Sequence, residues 1–287
     1  MAVCVLDGCG FFCLLMVYLS LAYADHVMLR HILMFKYADS VLFPIHTTVI
    51  HIIILMILVS HLRAVFTDPG RVPLPVTAID FSVLHGGTPR LNERGNDDWT
   101  VCSRCETYRP PRAHHCSTCR RCVRRMHHHC PWINNCVGEL NQKYFIQFLF
   151  YTGILSLYAM GLLLSAWLWP LVRGHSGETE KTAPSDNRAH LVHWIVLLVE
   201  SIILGLFALF VTFDQVGSII RDETPIERMK NSLRKDAQRD VPHTRKPKME
   251  LLREVFGRGY VICWFFPCNS PPSSRGLAYS RIPDYDL

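Results

Sequence analysis

Seven of the twelve cysteines in this chain lie between residues 102 and 136, and their spacing follows a repeat. The pattern Cys-x2-Cys-x9-His-x6-Cys occurs twice, with the second copy displaced from position 102 to position 116. The two sets are Cys102, Cys105, His115 and Cys122, and Cys116, Cys119, His129 and Cys136. Each set offers three thiolates and one imidazole, a combination typical of closed, tetrahedral zinc sites. We therefore predict two structural Zn²⁺ ions in one interleaved, compact unit.

One cysteine of this block, Cys130, has no place in either set. A third repeat would begin there, but Ile133 occupies the position where its second cysteine should be. His128 also lies outside both sets, and a thiol beside an imidazole base is the arrangement that produces a nucleophilic thiolate. Pro131 and Trp132 follow at once and are expected to stiffen the turn and provide an apolar wall. These residues alone leave open whether Cys130 is a nucleophile or a buried, inert thiol.

Four long apolar segments surround this block, and 49% of all residues are hydrophobic. The segments are 8–24, 41–62, 146–172 and 191–213. Apolar runs of such length predict membrane-spanning helices, because buried helices of soluble proteins account for shorter runs. The first segment is marginal, but no Lys or Arg precedes Arg30, so we expect an uncleaved span rather than a signal peptide. The predicted fold is an all-α integral membrane protein with four transmembrane helices and a two-zinc loop between helices 2 and 3.

Basic residues predict the orientation of these helices. Lys and Arg are concentrated in the loop 67–145 and in the tail after Phe213, whereas the loops 25–40 and 173–190 hold few. The positive-inside rule therefore places both termini and the cysteine-rich loop in the cytosol. Disulfides are disfavoured in that reducing compartment. The net charge of +6 then reflects topology and attraction to the anionic lipid bilayer, and it requires no nucleic acid partner.

This organisation divides the chain into four parts. They are residues 1–66 with helices 1 and 2, residues 67–145 with the cytosolic zinc-binding loop (core 102–136), residues 146–213 with helices 3 and 4, and a cytosolic tail, 214–287. Glu200, in the fourth segment, is costly in lipid and is expected to face a polar partner or to tilt toward water. The apolar tail stretch 260–268 is too short to span and is expected to dock on the membrane surface or the helices.

The whole block resembles the DHHC-type protein S-acyltransferases, the palmitoyltransferase family. The resemblance extends to CPWINNCVGELNQKYF (130–145), to TDPG (67–70) and to the four spans. RPPRAHHCSTCRRCVRRM (109–126) and REVFG (253–257) are most similar to the small four-span members of the Golgi and plasma membrane. The resemblance implies a tent of four helices around an acyl-chain cavity. It also implies a Golgi location, with the endoplasmic reticulum or plasma membrane as alternatives.

The resemblance implies a mechanism as well. Cys130 attacks palmitoyl-CoA to form an acyl-enzyme, and the acyl chain then passes to cytosolic cysteines of membrane-associated substrate proteins. His128 is the implied base, His127 occupies the position of the partner that supports this base, and His129 belongs to the second zinc site.

The sequence departs from the family pattern at three positions. His127 replaces the signature Asp, Pro225 replaces a hydroxyl residue after the fourth span, and Leu251 replaces an Asn in the tail. A neutral imidazole at position 127 brings no negative charge to the base, so we expect slow catalysis. The alternative function is a catalytically impaired, zinc-bearing membrane scaffold. An ion transporter fits less well, because thiolate-rich sites release zinc reluctantly.

Overall fold

The computed structural model describes residues 7–74, 100–172, 184–233 and 246–268. Its long helices are α1 (Gly8–His26), α3 (Leu42–Phe66), α4 (Gln142–Val172) and α5 (Pro184–Arg221), and a single turn, α2 (Met34–Tyr37), precedes α3. Within the described residues, four helical spans are long and apolar enough to cross a membrane. The predicted fold class is therefore confirmed.

Exposed apolar side chains on these helices are consistent with a lipid environment. Phe11, Leu55, Trp167 and Phe210 are each between 57% and 75% exposed. Apolar surface of this extent is rare on soluble monomers and is expected where the surrounding solvent is hydrocarbon.

The first span is longer than the sequence predicted. α1 continues without a break into a π-helical segment (Val27–Leu33) and then into α2, so the helix extends to Tyr37. The predicted loop 25–40 is thereby reduced to a short turn. The reason is packing. Four apolar side chains of the π-helical segment are fully buried, which stabilises the continued helix: Val27, Met28, Ile32 and Leu33.

The cysteine-rich loop folds into three short antiparallel hairpins that the sequence did not predict. β1 (Thr100–Cys102) pairs with β2 (Thr107–Arg109), β3 (His114–Cys116) with β4 (Arg121–Val123), and β5 (His128–Cys130) with β6 (Asn135–Val137). Each hairpin is only three residues long on either side, too little to be stable alone in water. Metal-ligand residues contributed by more than one hairpin must therefore stabilise much of this loop.

Residue contacts separate the chain into two compact units. The cysteine-rich unit comprises Met1–Phe11, Arg63–Phe145 and Val216–Leu287, and the helical unit comprises Phe12–Leu62 and Ile146–Gln215. The cysteine-rich unit also contains α6 (Pro225–Leu233) and α7 (Lys248–Phe256). In α7, Leu251 is buried.

Polar groups in the helical unit find partners across helices. Ser20 of α1 donates a hydrogen bond to the carboxylate of Glu200 in α5. This contact agrees with the expectation that Glu200 faces a polar partner, since a carboxylate in a membrane helix is stabilised by such contacts.

The apolar tail stretch folds back within the cysteine-rich unit. Trp264 donates its indole N–H to the carbonyl of Gly257 over 3.0 Å. Lys143, at the start of α4, donates to the carbonyl of Cys268 over 3.2 Å. Tyr260 and Ile262 remain 84% and 63% exposed, so this stretch keeps an apolar face available to a membrane surface.

Candidate metal centres and thiol site

The first ligand set converges on the β3–β4 hairpin. His115 lies opposite Cys122 in the hairpin register. The Nδ1 atom of His115 is 3.1 Å from the sulfur of Cys105, 3.7 Å from that of Cys102 and 4.0 Å from that of Cys122. All four ligand atoms lie within 4.8 Å of one another, an arrangement that could hold one metal ion.

The second set repeats this geometry one hairpin later. His129 lies opposite Cys136 in the β5–β6 register, as His115 lies opposite Cys122. The Nδ1 atom of His129 is 3.3 Å from the sulfur of Cys119 and 3.7 Å from that of Cys136. These atoms and the sulfur of Cys116 again lie within 4.8 Å of one another. The repeat in the sequence therefore corresponds to a repeat of hairpins.

The protonation of the second set indicates that the four groups suit a cation. Hydrogen bonds that the protonated ring of His129 donates to the sulfurs of Cys116 and Cys119 raise its pKa to about 10. Hydrogen bonds from Cys119 and then Cys136 lower the pKa of Cys116, while hydrogen bonding with Cys116 raises the pKa of Cys136. The four groups are thus close enough to share protons, and a metal ion displaces such protons when it binds thiolates. A tetrahedral ion with thiolate and imidazole ligands fits this donor set.

Strand alternation separates the three consecutive histidines by role. Successive side chains of a strand point to opposite faces, so His128 and Cys130 of β5 share one face while His129 points to the other. His129 faces the sulfur ligands, and neither ligand group among the described residues includes Cys130. The thiol of Cys130 is buried, with 4% of the residue exposed. The His128 ring meets the Phe145 ring edge-on at a centroid distance of 5.6 Å.

His127 lies in a buried, positively charged environment. Its backbone N–H donates to the carbonyl of Val137 over 2.9 Å, and 5% of the residue is exposed. Burial, followed by the charges of His128, Arg125 and Arg112, lowers the pKa of His127 to about 3. No hydrogen-bond partner for its Nδ1 atom occurs in the described part of the chain. His127 is therefore a neutral neighbour of His128 at ordinary pH.

The turn after Cys130 begins with a proline and contains one fully buried apolar residue. Pro131–Ile133 form a single 3₁₀ turn, as a stiff connection requires. Ile133 is fully buried, whereas Trp132 is 40% exposed. Ile133 therefore makes an interior apolar contact, and the expectation that Trp132 supplies an apolar wall stays a prediction.

Two asparagines that sequence reasoning missed anchor the β5–β6 hairpin. Asn135 lies opposite Cys130 and is fully buried. Its Nδ2 group donates to the carbonyls of Ala64, Val65 and Thr67 over 3.1–3.3 Å. The last carbonyls of an α-helix have no partner within the helix, so Asn135 caps the end of α3.

Asn141 reinforces this anchor. Its Nδ2 group donates to the carbonyls of Ala64 and Cys136 over 3.2 and 2.8 Å, and its Oδ1 atom accepts from the Gly138 N–H over 2.9 Å. A Cβ atom at Gly138 would come within 2.4 Å of the Pro69 carbonyl oxygen. For Asn135, the polar pair Asn134-Asn135 within an otherwise apolar stretch is a sequence signal for a buried polar contact, but it does not identify the partners.

An ion-pair network joins the loop to the segment after α5. Arg112 makes a two-pronged contact with Glu227, at 2.7 and 3.0 Å, and a 2.8 Å contact with Asp222. Burial raises the pKa of Glu227, but the hydrogen bonds from Arg112 outweigh this effect and bring the pKa below its ordinary value. Thr224 and Glu227 also exchange backbone and side-chain hydrogen bonds at the start of α6, a capping box. Pro225 is the first residue of α6, a position that tolerates its missing N–H.

Two arginines that follow β4 have acidic partners. Arg124 pairs with Glu139 at 3.2 Å. Arg125 pairs with Asp222 at 2.9 Å and with Glu254 of α7 at 3.5 Å. These arginines connect segments of the cysteine-rich unit and are already compensated by carboxylates.

The helical unit contains an apolar pocket of about 620 Å³. Its lining residues are Tyr37, Leu42, His46, Leu157, Tyr158, Gly161, Leu162, Ser165 and Leu168. Hydrogen bonds of 3.0 Å between Tyr37 and Ser165, and of 2.6 Å between His46 and Tyr158, join its walls. The volume lies within the range of about 300–1,000 Å³ typical of small-molecule sites.

Comparison with known proteins points to one family. The family model described as DHHC palmitoyltransferase matches residues 95–232. Palmitoyltransferase ZDHHC3 of Homo sapiens is 32% identical to this chain, over 96% of the chain and 86% of that protein. Palmitoyltransferase ZDHHC7 of Rattus norvegicus is 31% identical over 91% and 79%, respectively. Palmitoyltransferase ZDHHC21 of Danio rerio is 33% identical over 93% and 92%.

Proposed function

Since the chain belongs to the DHHC palmitoyltransferase family, we propose that it transfers palmitoyl groups from palmitoyl-CoA to cysteines of membrane-associated proteins. The acyl group is carried as a thioester on Cys130. The observation that supports this role most directly is that Cys130 lies outside both ligand sets and shares a strand face with His128. A sulfur bound to a structural ion is not available as a nucleophile, so only the remaining thiol of the block can react.

The reaction proceeds in two steps. His128 takes the proton of the Cys130 thiol, and the thiolate attacks the thioester carbonyl of palmitoyl-CoA. The carbon–sulfur bond to CoA breaks, and the CoA thiolate leaves with the proton held by His128. In the second step, a substrate thiol loses its proton to His128 and attacks the acyl-enzyme, which regenerates Cys130.

His127 stands where the family has a carboxylate. A carboxylate beside the base stabilises its charged form, as in serine-protease triads. The neutral, buried imidazole of His127 brings no such charge. The chain is therefore a slow transferase rather than an inactive one, since a thiol ionises far more readily than a serine hydroxyl.

The two Cys₃His sets are structural zinc sites that hold the hairpins around Cys130. Structural zinc contributes on the order of 10 kcal/mol or more to the folding of small modules. This exceeds what three-residue hairpins can supply alone, so zinc maintains the geometry of the Cys130 hairpin without taking part in the reaction.

The membrane supplies the acyl donor and the protein substrates. Both termini and the cysteine-rich loop are cytosolic, and the Golgi is the proposed location. The apolar pocket of the helical unit suits a hydrocarbon chain, because its lining is apolar apart from a few paired hydroxyl and imidazole groups.

The release of CoA by the purified, zinc-loaded chain tests this function. We expect a burst of up to one equivalent of CoA from palmitoyl-CoA, followed by slow turnover that an acceptor peptide with a cysteine accelerates. Cys130→Ser should abolish the burst and retain both zinc ions, while Cys263→Ser, the matched control at an exposed tail cysteine, should leave the burst intact. No burst from the parent protein would favour the scaffold function.

A further inference from the structure

Four histidines gather in the helical unit, which contains none of the cysteines of the two ligand sets. His26 and His31 lie in the first span, and His190 and His193 lie near the start of α5. The ring centroid of His31 is 5.5 Å from that of His26, 4.9 Å from that of His190 and 4.1 Å from that of His193. His31 is thus the centre of a cluster that the acyl-transfer chemistry does not use.

The separation of two ring nitrogens is close to what a shared metal ion requires. The Nδ1 atoms of His31 and His190 are 3.0 Å apart, although 159 residues separate them in the sequence. Two imidazoles bound to one tetrahedral ion at about 2.0–2.1 Å place their nitrogens roughly 3.3–3.4 Å apart. A small outward movement would therefore admit an ion between rings that now share a single proton.

The π-helical segment Val27–Leu33 is the element that positions His31. In an α-helix, residues five apart are about 140° apart around the axis. Hydrogen bonds between residues five apart, which define a π-helix, bring such residues closer to one face. His26 and His31 are five apart and benefit from this change. Short π-helical insertions occur frequently at functional sites.

Neighbouring groups orient these rings. The hydroxyl of Tyr23 lies 3.0 Å from Nδ1 of His193, which leaves the other ring nitrogen of His193 as its ligand atom. Trp194 donates its indole N–H to the carbonyl of His31 over 2.9 Å. The ring of Phe35 stacks on His190 at a centroid distance of 4.2 Å. Surrounding groups that fix imidazole orientation are characteristic of metal sites.

We propose that His31, His190 and His193, with His26 as a fourth ligand, form a binding site for a divalent transition-metal ion such as Zn²⁺. Imidazole ligands suit zinc, copper and nickel, and these ligands lack the thiolates of the cysteine sites. The His31 and His190 nitrogens are already close enough for a shared ion. The rings of His193 and His26 must rotate toward this pair to complete the site, since among the described residues three or more ligand atoms lie within 4.8 Å of one another only in the two cysteine sets. The charge distribution of the loops predicts that this site faces the lumen.

Metal counting on the full chain in lipid nanodiscs tests the proposal. Protein with both cysteine sites filled is dialysed against buffered free Zn²⁺, and bound zinc is measured per chain. We expect three ions in the parent and two in His31→Gln and in His190→Gln. His51→Gln, which changes a histidine of another span outside the cluster, is the control and should keep three. X-ray absorption should show a third ion with nitrogen ligands and no sulfur.

Several results would overturn the site. They are a parent protein that binds only two ions, a third ion that persists in both cluster variants, and a third ion lost equally in His51→Gln. Retention of two zinc ions by each variant shows that it is folded, and His193→Gln provides a further variant if one of the others fails this criterion. A rise in melting temperature on addition of zinc that occurs in the parent and not in the cluster variants supports the site. A stability that responds to pH identically with and without zinc would assign the cluster to proton binding instead.

Discussion

Replacing His127 by Asp should accelerate formation of the acyl-enzyme. The present imidazole is buried and neutral, because burial lowers its pKa to about 3. The substitution introduces a carboxylate next to His128, which must become positively charged when it takes the thiol proton. Arg112 and Arg125, the cations that affect position 127, already pair with Asp222, Glu227 and Glu254. The new charge therefore remains available to the base.

The size of the effect follows from Coulomb's law. A carboxylate about 6 Å from an imidazolium, at an effective dielectric constant of about 20, stabilises the charge by about 2.8 kcal/mol. This free energy corresponds to about 100-fold in rate. A cysteine thiol ionises far more readily than a serine hydroxyl, so the carboxylate should raise the rate by less than this full factor. We expect an acceleration of roughly 10- to 100-fold.

Single-turnover acylation with labelled palmitoyl-CoA measures this rate, over a range of about pH 6 to 9. His127→Asn is the matched control, since it resembles Asp in size but carries no charge, and it should be no faster than the parent. Zinc content should be the same in all three proteins. Equal rates for the parent and His127→Asp would refute the reasoning, because His127 would then already support the base or lie outside its hydrogen-bond path.

Three further predictions concern the groups around the site. Asn135→Ala leaves the last carbonyls of α3 without their donor and should lower the free energy of unfolding by about 1–3 kcal/mol, which thermal unfolding measures together with a slower acylation rate. Arg112→Lys cannot reproduce the two-pronged contact with Glu227 and should lower the melting temperature. A melting temperature equal to that of the parent would show that this contact contributes nothing to stability. Gly161→Phe fills the apolar pocket and should shift the preferred acyl donor to a shorter chain, as competition between acyl-CoA lengths reveals, whereas Gly153→Phe on the same helix, outside the pocket lining, should not.

The metal ligands could be predicted from the sequence because their signal is local. The spacing repeats within one stretch of chain, and each hairpin brings its histidine opposite its last cysteine, as with His115 and Cys122. The four spans were predictable for a similar reason, since each one is a continuous apolar run. The separation of His128 from His129 also follows from strand alternation, once a strand is known to be there.

Other features depend on contacts between distant segments. Asn135 is 70 residues or so from the carbonyls that it caps, and nothing in its neighbourhood identifies these partners. The pairing of Arg125 with Asp222 and Glu254 likewise depends on tertiary packing between segments about 100 residues or more apart in the chain. The π-helical segment around His31 has no sequence pattern that distinguishes it from an α-helix.

The central claim is that the one cysteine of the block outside the metal sites carries the acyl group. Peptide mass spectrometry after a single turnover, with acid quenching to preserve thioesters, tests this claim most directly. We predict the added acyl mass on Cys130, its removal by neutral hydroxylamine, and two zinc ions in the same sample before digestion. An acyl mass found on Cys263 or Cys268 while Cys130 remains unmodified at every time point would contradict the account.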